Sequence, residues 1–289
     1  MREIQLIKLY CAVCHHYDNT LVGVAQRQSN NFCPKFTDVE CITVYIWGIA
    51  NQKLNVKACY DFAKDYYGDW FPDLPSYQAF NNRIVYLADA FKVLAHVLLA
   101  SIGLDPSHSD FVIDSMPIVV ASARRSSRAK TAPQLCDKGY CASKGIFYYG
   151  VKLHVLAQTN YKAMPMPSCV MISKASEHDL AVAKEMLEDT VNIRVFGDMA
   201  FIDNAWQTNM QLKHNVNIIT PVKRKKGERW LNSADKLFSS AVSSVKQAIE
   251  SFNNWLIEKT GIQRASKVRS QEGLLAFLFA RIACACILL

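Results

Sequence analysis

The 289-residue chain is short of the residues that separate loosely tethered parts. Its 11 glycines and 9 prolines are nowhere gathered into a Gly/Ser-rich or Pro-rich tract, and no segment recurs at a fixed period. A long flexible linker and a solenoid are thereby excluded. No signal peptide is expected either: MREIQLIKLYCAVC carries charges among its apolar residues and has no small-residue cleavage site. The ten scattered cysteines are therefore expected as reduced thiols of a cytoplasmic protein rather than as a disulfide framework. CAVCHH, residues 11–16, contains the C-x-x-C-H spacing of haem attachment, but that chemistry needs export. A zinc site needs a second closely spaced pair, and Cys33/Cys41 and Cys136/Cys141 are too far apart to supply one. This stretch is expected to be a helix whose cysteines act as small hydrophobes. GLLAFLFARIACACILL, 273–289, is short for a membrane span and is interrupted by Arg281, so a buried terminal helix is expected. Haem and membrane readings are set aside.

What the chain does have is a large apolar complement, 51%, with 20% charged residues, enough for one large domain or two smaller ones. The net charge of +8 is unevenly placed. Residues 1–105 hold 9 Lys/Arg and 10 Asp/Glu, leaving 24 basic against 15 acidic residues in 106–289. A basic C-terminal part points to a polyanionic partner, most often nucleic acid.

Residues 1–105 read as a helical domain for DNA binding or assembly. Leu6, Leu9, Tyr10 and Val13 are helix-spaced, and Thr37-Asp38-Val39-Glu40 offers an N-cap before CITVYIWGIA. Tyr60–Trp70 is amphipathic, and Phe80–Leu104 predicts one long helix. The pattern changes at Asp105-Pro106. FVIDSMPIVV (111–120), FYYGVKLHVLA (147–157) and MPSCVMIS (166–173) predict an antiparallel meander. A helix beginning near Ser176, a strand at 192–198, a helix over 203–214 and a strand at 216–222 follow. A basic polar insertion, about 222–239, precedes a helix over 240–258 and the terminal helix. The order β-β-β-α-β-α-β-α predicts an α/β domain over 106–289 with a mixed five-stranded sheet.

Within that frame an aspartate in FVIDSMPIVV is out of place, because a buried ionised carboxylate is costly unless something pairs with it. Asp198 stands at the end of the fourth strand, where α/β sheets place ligand-binding groups. If strands one and four are neighbours, Asp114 and Asp198 converge, and two close carboxylates need a shared proton or a cation. In VKQAIESFNNWLIEK the stripe Val245, Ile249, Phe252 and Leu256 is expected to be buried. Glu250 would then lie on its flank, with Lys246, Asn253 and Asn254 on the polar side. Three carboxylates suit Mg2+ or Mn2+, and two such ions clamp the oxygens of an in-line phosphoryl displacement. For any one aspartate alone, a cap or a surface residue is the plainer explanation.

FVIDSMPI, FYYGVKLH, FGDMAFID and QAIESFNNWLIEK resemble the core motifs of DDE-type insertion-sequence transposases, members of the RNase H-like superfamily together with retroviral integrases. The resemblance covers roughly residues 105–289. It implies an RNase H-like catalytic domain in which Asp114, Asp198 and Glu250 form the catalytic, metal-holding triad. Many relatives carry an arginine a few residues before the glutamate; here Lys246 and Gln247 stand there. The resemblance further implies action on double-stranded DNA, the element's terminal inverted repeats and target DNA, at the bacterial nucleoid. Two Mg2+ (or Mn2+) ions and a homodimer or higher assembly on DNA are also implied. Hydrolysis would free a 3′ end that then attacks the target; a nuclease without strand transfer, or an inert DNA-binding relative, is the alternative.

Lys152 and His154 alternate with apolar residues and share one face of the second strand. The resemblance of GVKLH makes them candidates for contacting DNA or bracing the carboxylates, and ordering the sheet is an equal alternative. Arg124, Arg125, Arg128 and Lys130, with Lys223, Arg224, Lys225, Lys226 and Arg229, are candidate phosphate contacts, beside the aromatic Trp230.

Overall fold

The computed structural model of the chain describes residues 2–25, 34–142, 145–160, 163–224, 227–228 and 230–289. Cys33, Lys225, Lys226 and Arg229 lie outside the described residues. The described residues form two compact units, Met1–Ser101 with Lys130–Gln134 and Leu256–Leu289, and Ile102–Ala129 with Leu135–Trp255.

The first unit is helical. α1 (Arg2–His16) buries Leu6, Leu9 and Val13, while Cys11 is exposed and Cys14 partly so, so the helix expected there forms but the cysteines stay out of its core stripe. It continues through a π turn, Tyr17–Leu21, into α2 (Val22–Ala25). α3 (Asp38–Ala50) opens on a full capping box, Thr37 and Glu40 each accepting from the other's backbone N–H. α4 (Val56–Tyr67) follows. The single long helix expected over 80–104 is two, α5 (Tyr77–Tyr86) and α6 (Ala88–Ala100), separated at Leu87. In the second unit come β1 (Asp110–Ser122), the single turn α7 (Ala123–Ser126), β2 (Asp137–Cys141), β3 (Ile146–Gln158) and β4 (Met166–Lys174). α8 (Asp179–Met186), β5 (Arg194–Phe196), α9 (Asn204–His214) and β6 (Asn217–Ile219) complete the sheet region. α10 (Ser233–Thr260) begins two turns earlier than the sequence predicts, and α11 (Gln271–Leu288) is apolar nearly all round.

α11 belongs to the first unit, so residues 256–289 fold with the N-terminal helices rather than with the sheet, unlike the expected boundary at 105/106. A helix apolar on every side must be covered on every side, and α6, α3 and α5 pack on it. It is long and apolar enough to cross a membrane, yet most of it is buried inside protein. Arg281 in its middle is fully buried, donating to the carbonyls of Thr260 (3.0 Å), Phe277 (3.1 Å) and Leu54 (2.8 Å) and to Tyr45 Oη (3.1 Å).

The sheet has six strands, not the five expected, in the order β2-β3-β1-β5-β6 with β4 also on β3. β2 and β4 take successive stretches of the same edge of β3: Asp137–Cys141 pairs with residues 146–150, and Met166–Lys174 with 151–158. β3 is antiparallel to both β1 and β4, as expected of a meander, while β5 runs parallel to β1 and β6 parallel to β5. Gly150 sits opposite a bulge in β1, where an added Cβ would come within 2.0 Å of the Ile118 carbonyl.

The register assigns the faces. Phe111 and Ile113 of β1, Leu156 of β3 and Val195 of β5 pack with Val182, Ala183 and Met186 of α8 and Met210 of α9. The opposite face carries Val112, Asp114, Met116 and Ile118, level with Ala157, Val155, Leu153 and Val151 of β3, and these apolar residues are all buried.

Candidate active site

Asp114 is on that second face, partly buried, in the strand at the middle of the sheet. β5 pairs with β1 only as far as Val112↔Phe196. Beyond that point the flank of β1 is free of its parallel neighbour, which is why Pro117 is tolerated in the same strand. Asp114 stands where this opening begins.

Every pair in the β1/β5 ladder is offset by 84 residues, from Asp110↔Arg194 to Val112↔Phe196. Carried two residues further, the same register sets Asp198 level with Asp114 and on the same face. Asp198 keeps extended backbone, and the chain then turns into a single 3-10 turn, Met199–Phe201. Gly197 allows this turn: a Cβ there would lie 2.7 Å from the Phe201 ring. The aspartate is also a cap, since its Oδ1 accepts from Ala200 N at 2.8 Å. The plainer explanation, a cap, therefore holds for one carboxylate oxygen.

α10 lies over this face. Asn253 Nδ2 donates to Asp114 Oδ2 at 2.9 Å, fixing which side of the helix meets the sheet. Up to Leu256 its buried positions are Val242, Lys246, Ile249, Phe252, Asn253 and Leu256, and Glu250 is exposed at their edge. Lys246, Glu250 and Asn253 do share one side, as their spacing predicts. However, Lys246 (9% exposed) and Asn253 (6%) are turned inward to the aspartate, not outward to solvent. Sequence reasoning missed these two residues because polar side chains on a helix are ordinarily solvated. The available signal was their separation from Glu250, four residues before and three after, which keeps all three in one sector of the helix.

The electrostatics record the convergence. Burial pushes the Asp114 carboxyl from its ordinary 3.8 up to about 6. The Lys246 ammonium and the Ser115 backbone N–H oppose that rise, while the charges of Asp198 and Glu250 add to it. The structure thus brings Asp198 and Glu250 within electrostatic reach of Asp114. Among the described residues, no three His, Cys, Asp or Glu side chains are gathered tightly enough to enclose an ion. Mutual repulsion of three carboxylates and the Ala200 contact of Asp198 oppose closer approach. The donor set nonetheless fits a hard divalent cation, being oxygen throughout. A further oxygen, Asn253 Oδ1, is buried with no hydrogen-bond partner, which ordinarily costs about 1–3 kcal/mol.

Lys152 and His154 are not part of this arrangement. They stand opposite Pro117 and Ser115, so a shift of one residue from Asp114 puts them on the other face, under α8. Lys152 Nζ bonds the Asp179 carboxylate (2.8 Å) and the Glu177 carbonyl (2.7 Å). His154 is 1% exposed, shares a hydrogen bond with Ser173 Oγ (2.8 Å), and is held by burial to a pKa of about 4. They therefore do not flank Asp114, and their partners fit the alternative in which the pair orders the sheet. His178 caps α8 by accepting from Leu180 N. Arg124, Arg125, Arg128, Lys130, Lys223 and Arg224 are exposed, as is Trp230 at 84%.

Acidic side chains thus come from a central strand, from just past the end of its parallel neighbour and from a helix over a mixed sheet. Residues 107–269 match the family described as the transposase DDE domain. That is more than half of the chain, and the chain belongs to this family. No curated protein and no solved structure matches it.

Proposed function

We propose that the chain is the transposase of an insertion sequence, and that Asp114, Asp198 and Glu250 are its catalytic carboxylates. The observation that supports this reading is that the charges of Asp198 and Glu250 both act on the buried Asp114 carboxyl, inside the family-matched segment. The strand order β4-β3-β1-β5-β6, three antiparallel strands followed by two parallel ones, supports an RNase H-like domain.

The three carboxylates would hold two Mg2+ (or Mn2+) ions, with Asn253 orienting Asp114. Bound there, the ions would supply charge neutralisation at the phosphodiester and activation of the attacking hydroxyl. Asp114 is central because it alone lies in a strand flanked by both other carboxylate-bearing elements. Lys246 offsets their negative charge and would favour the approach of a phosphate. Arg124, Arg125, Arg128, Lys130, Lys223 and Arg224 would bind phosphates of element ends and target DNA, giving affinity with little sequence choice. Joining two ends to one target calls for two or more protomers on the DNA.

The test is cleavage of duplexes spanning the junctions that flank the coding sequence, followed by transfer of pre-cleaved ends into plasmid. Asp114→Asn, Asp198→Asn and Glu250→Gln should each lower Mg2+-dependent cleavage by at least about 100-fold. Full activity in Asp114→Asn would refute the site. Cleavage without joined products would favour a nuclease that does not transfer strands.

A further inference from the structure

One group beside Asp114 is not accounted for by the three carboxylates. Asn253 follows Glu250 by three residues on α10, so the two side chains leave the helix within about 60° of each other. Its Nδ2 donates to Asp114 Oδ2 at 2.9 Å, which sets the amide's orientation, because an ionised carboxylate only accepts. The carbonyl oxygen on the other limb of the same planar group is buried and has no partner. Packing alone does not call for such an oxygen, since an apolar side chain of similar volume would fill the place without an orphaned acceptor. A neutral carbonyl oxygen is, however, a good ligand for a hard cation.

We propose that Asn253 is a positioning residue that also completes the cation site: Nδ2 holds the Asp114 carboxylate in its orientation, and Oδ1 ligates the cation. This rests on the reading of Asp114, Asp198 and Glu250 as the cation-holding set. An amide suits the place because it adds a ligand without adding to three negative charges already in mutual repulsion.

The test is Mn2+ binding to the full chain, followed by the electron paramagnetic resonance signal of free Mn2+, with thermal unfolding in EDTA measured in parallel. Wild type should bind and Asp114→Asn should not. Asn253→Ala and the near-isosteric Asn253→Leu should weaken Mn2+ affinity by about tenfold or more. Asn253→Asp, which restores a ligand oxygen but not the Nδ2 donor to Asp114, should recover part of that loss. The Leu variant removes the orphaned oxygen but also the Nδ2 donor to Asp114, so it should unfold in EDTA close to the wild-type temperature, and its loss of Mn2+ affinity is then not a loss of fold. A purely structural amide would instead lower stability and leave Mn2+ affinity alone. Wild-type Mn2+ affinity in the folded Ala or Leu variant would overturn the Asn253 proposal while leaving the carboxylates in place. Mn2+ binding that is absent in wild type, or unchanged by Asp114→Asn, would overturn the reading beneath it.

Discussion

Replacing Asp114 by asparagine should stabilise the cation-free protein while abolishing its chemistry. A carboxyl group moved from 3.8 to about 6 is disfavoured in its ionised form at pH 7 by about 3 kcal/mol relative to the unfolded chain. The sign follows from the direction of the shift. A raised carboxyl contributes stability only while protonated, fully below pH 3.8, and that contribution is lost as pH rises through 6. Asparagine has nearly the same shape, can still bond Asn253, and carries no charge to desolvate. In EDTA at pH 7 the variant should therefore gain up to about 3 kcal/mol, or roughly 6–12 °C in the unfolding temperature for a unit of this size. The gain should shrink towards zero near pH 4, where wild-type Asp114 is itself neutral. Saturating Mn2+ should narrow the difference at pH 7 by stabilising wild type alone. Thermal unfolding followed by circular dichroism, at several pH values with EDTA or Mn2+, would measure all three effects. A variant less stable than wild type at pH 7, or one whose gain persists unchanged at pH 4, would refute the assignment of the strain to a desolvated charge.

His154 should tilt stability the opposite way. Burial holds its ring at about 4 against an ordinary 6.5, with Asp179 opposing and Lys152 reinforcing the fall. Its stabilisation is therefore complete above pH 6.5 and is lost, by up to about 3 kcal/mol, as pH drops towards 4. In the Asp114→Asn background, where the opposing carboxyl is gone, that acid limb should be visible, and adding His154→Asn should flatten it; an unchanged slope would disprove the attribution. In the helical unit, Arg281→Met should strand the carbonyls of Thr260 and Leu54 and the Tyr45 hydroxyl in the core. A loss of about 3–5 kcal/mol in urea unfolding is expected, and a change below about 1 kcal/mol would show that those groups find other partners.

How far the sequence could be read depended on whether a feature is local. FVIDSMPIVV and FYYGVKLHVLA declared themselves as strands by alternation, and Thr37–Glu40 declared a helix start by side-chain chemistry. β2 went unseen because DKGYC has no apolar alternation and forms only through its pairing with β3. The early start of α10 was hidden in polar SADKLFSS, where Asn232 Oδ1 accepts from Asp235 N. The proposed triad rests on residue types and on the interval between Asp114 and Asp198, which equals the offset of the β1/β5 ladder. Period-two alternation gave Lys152 and His154 a common face, but which face depends on the register against β1, a non-local fact. The inward turn of Lys246 and Asn253 depended likewise on what lies beneath the helix.

The 84-residue offset shared by the β1/β5 ladder and the two aspartates limits how this chain can change length. Between the two strands, the turns outside β4 and α8 can gain or lose positions without disturbing this ladder, since it is set by strand ends rather than by the length of the connection. One residue inserted between Phe111 and Asp114, or between Val195 and Asp198, would rotate an aspartate onto the face packed by α8 and α9. Length variants of this gene should therefore fall outside those two short intervals wherever both carboxylates must meet. A single-codon insertion there should abolish the proposed activity as surely as losing an aspartate.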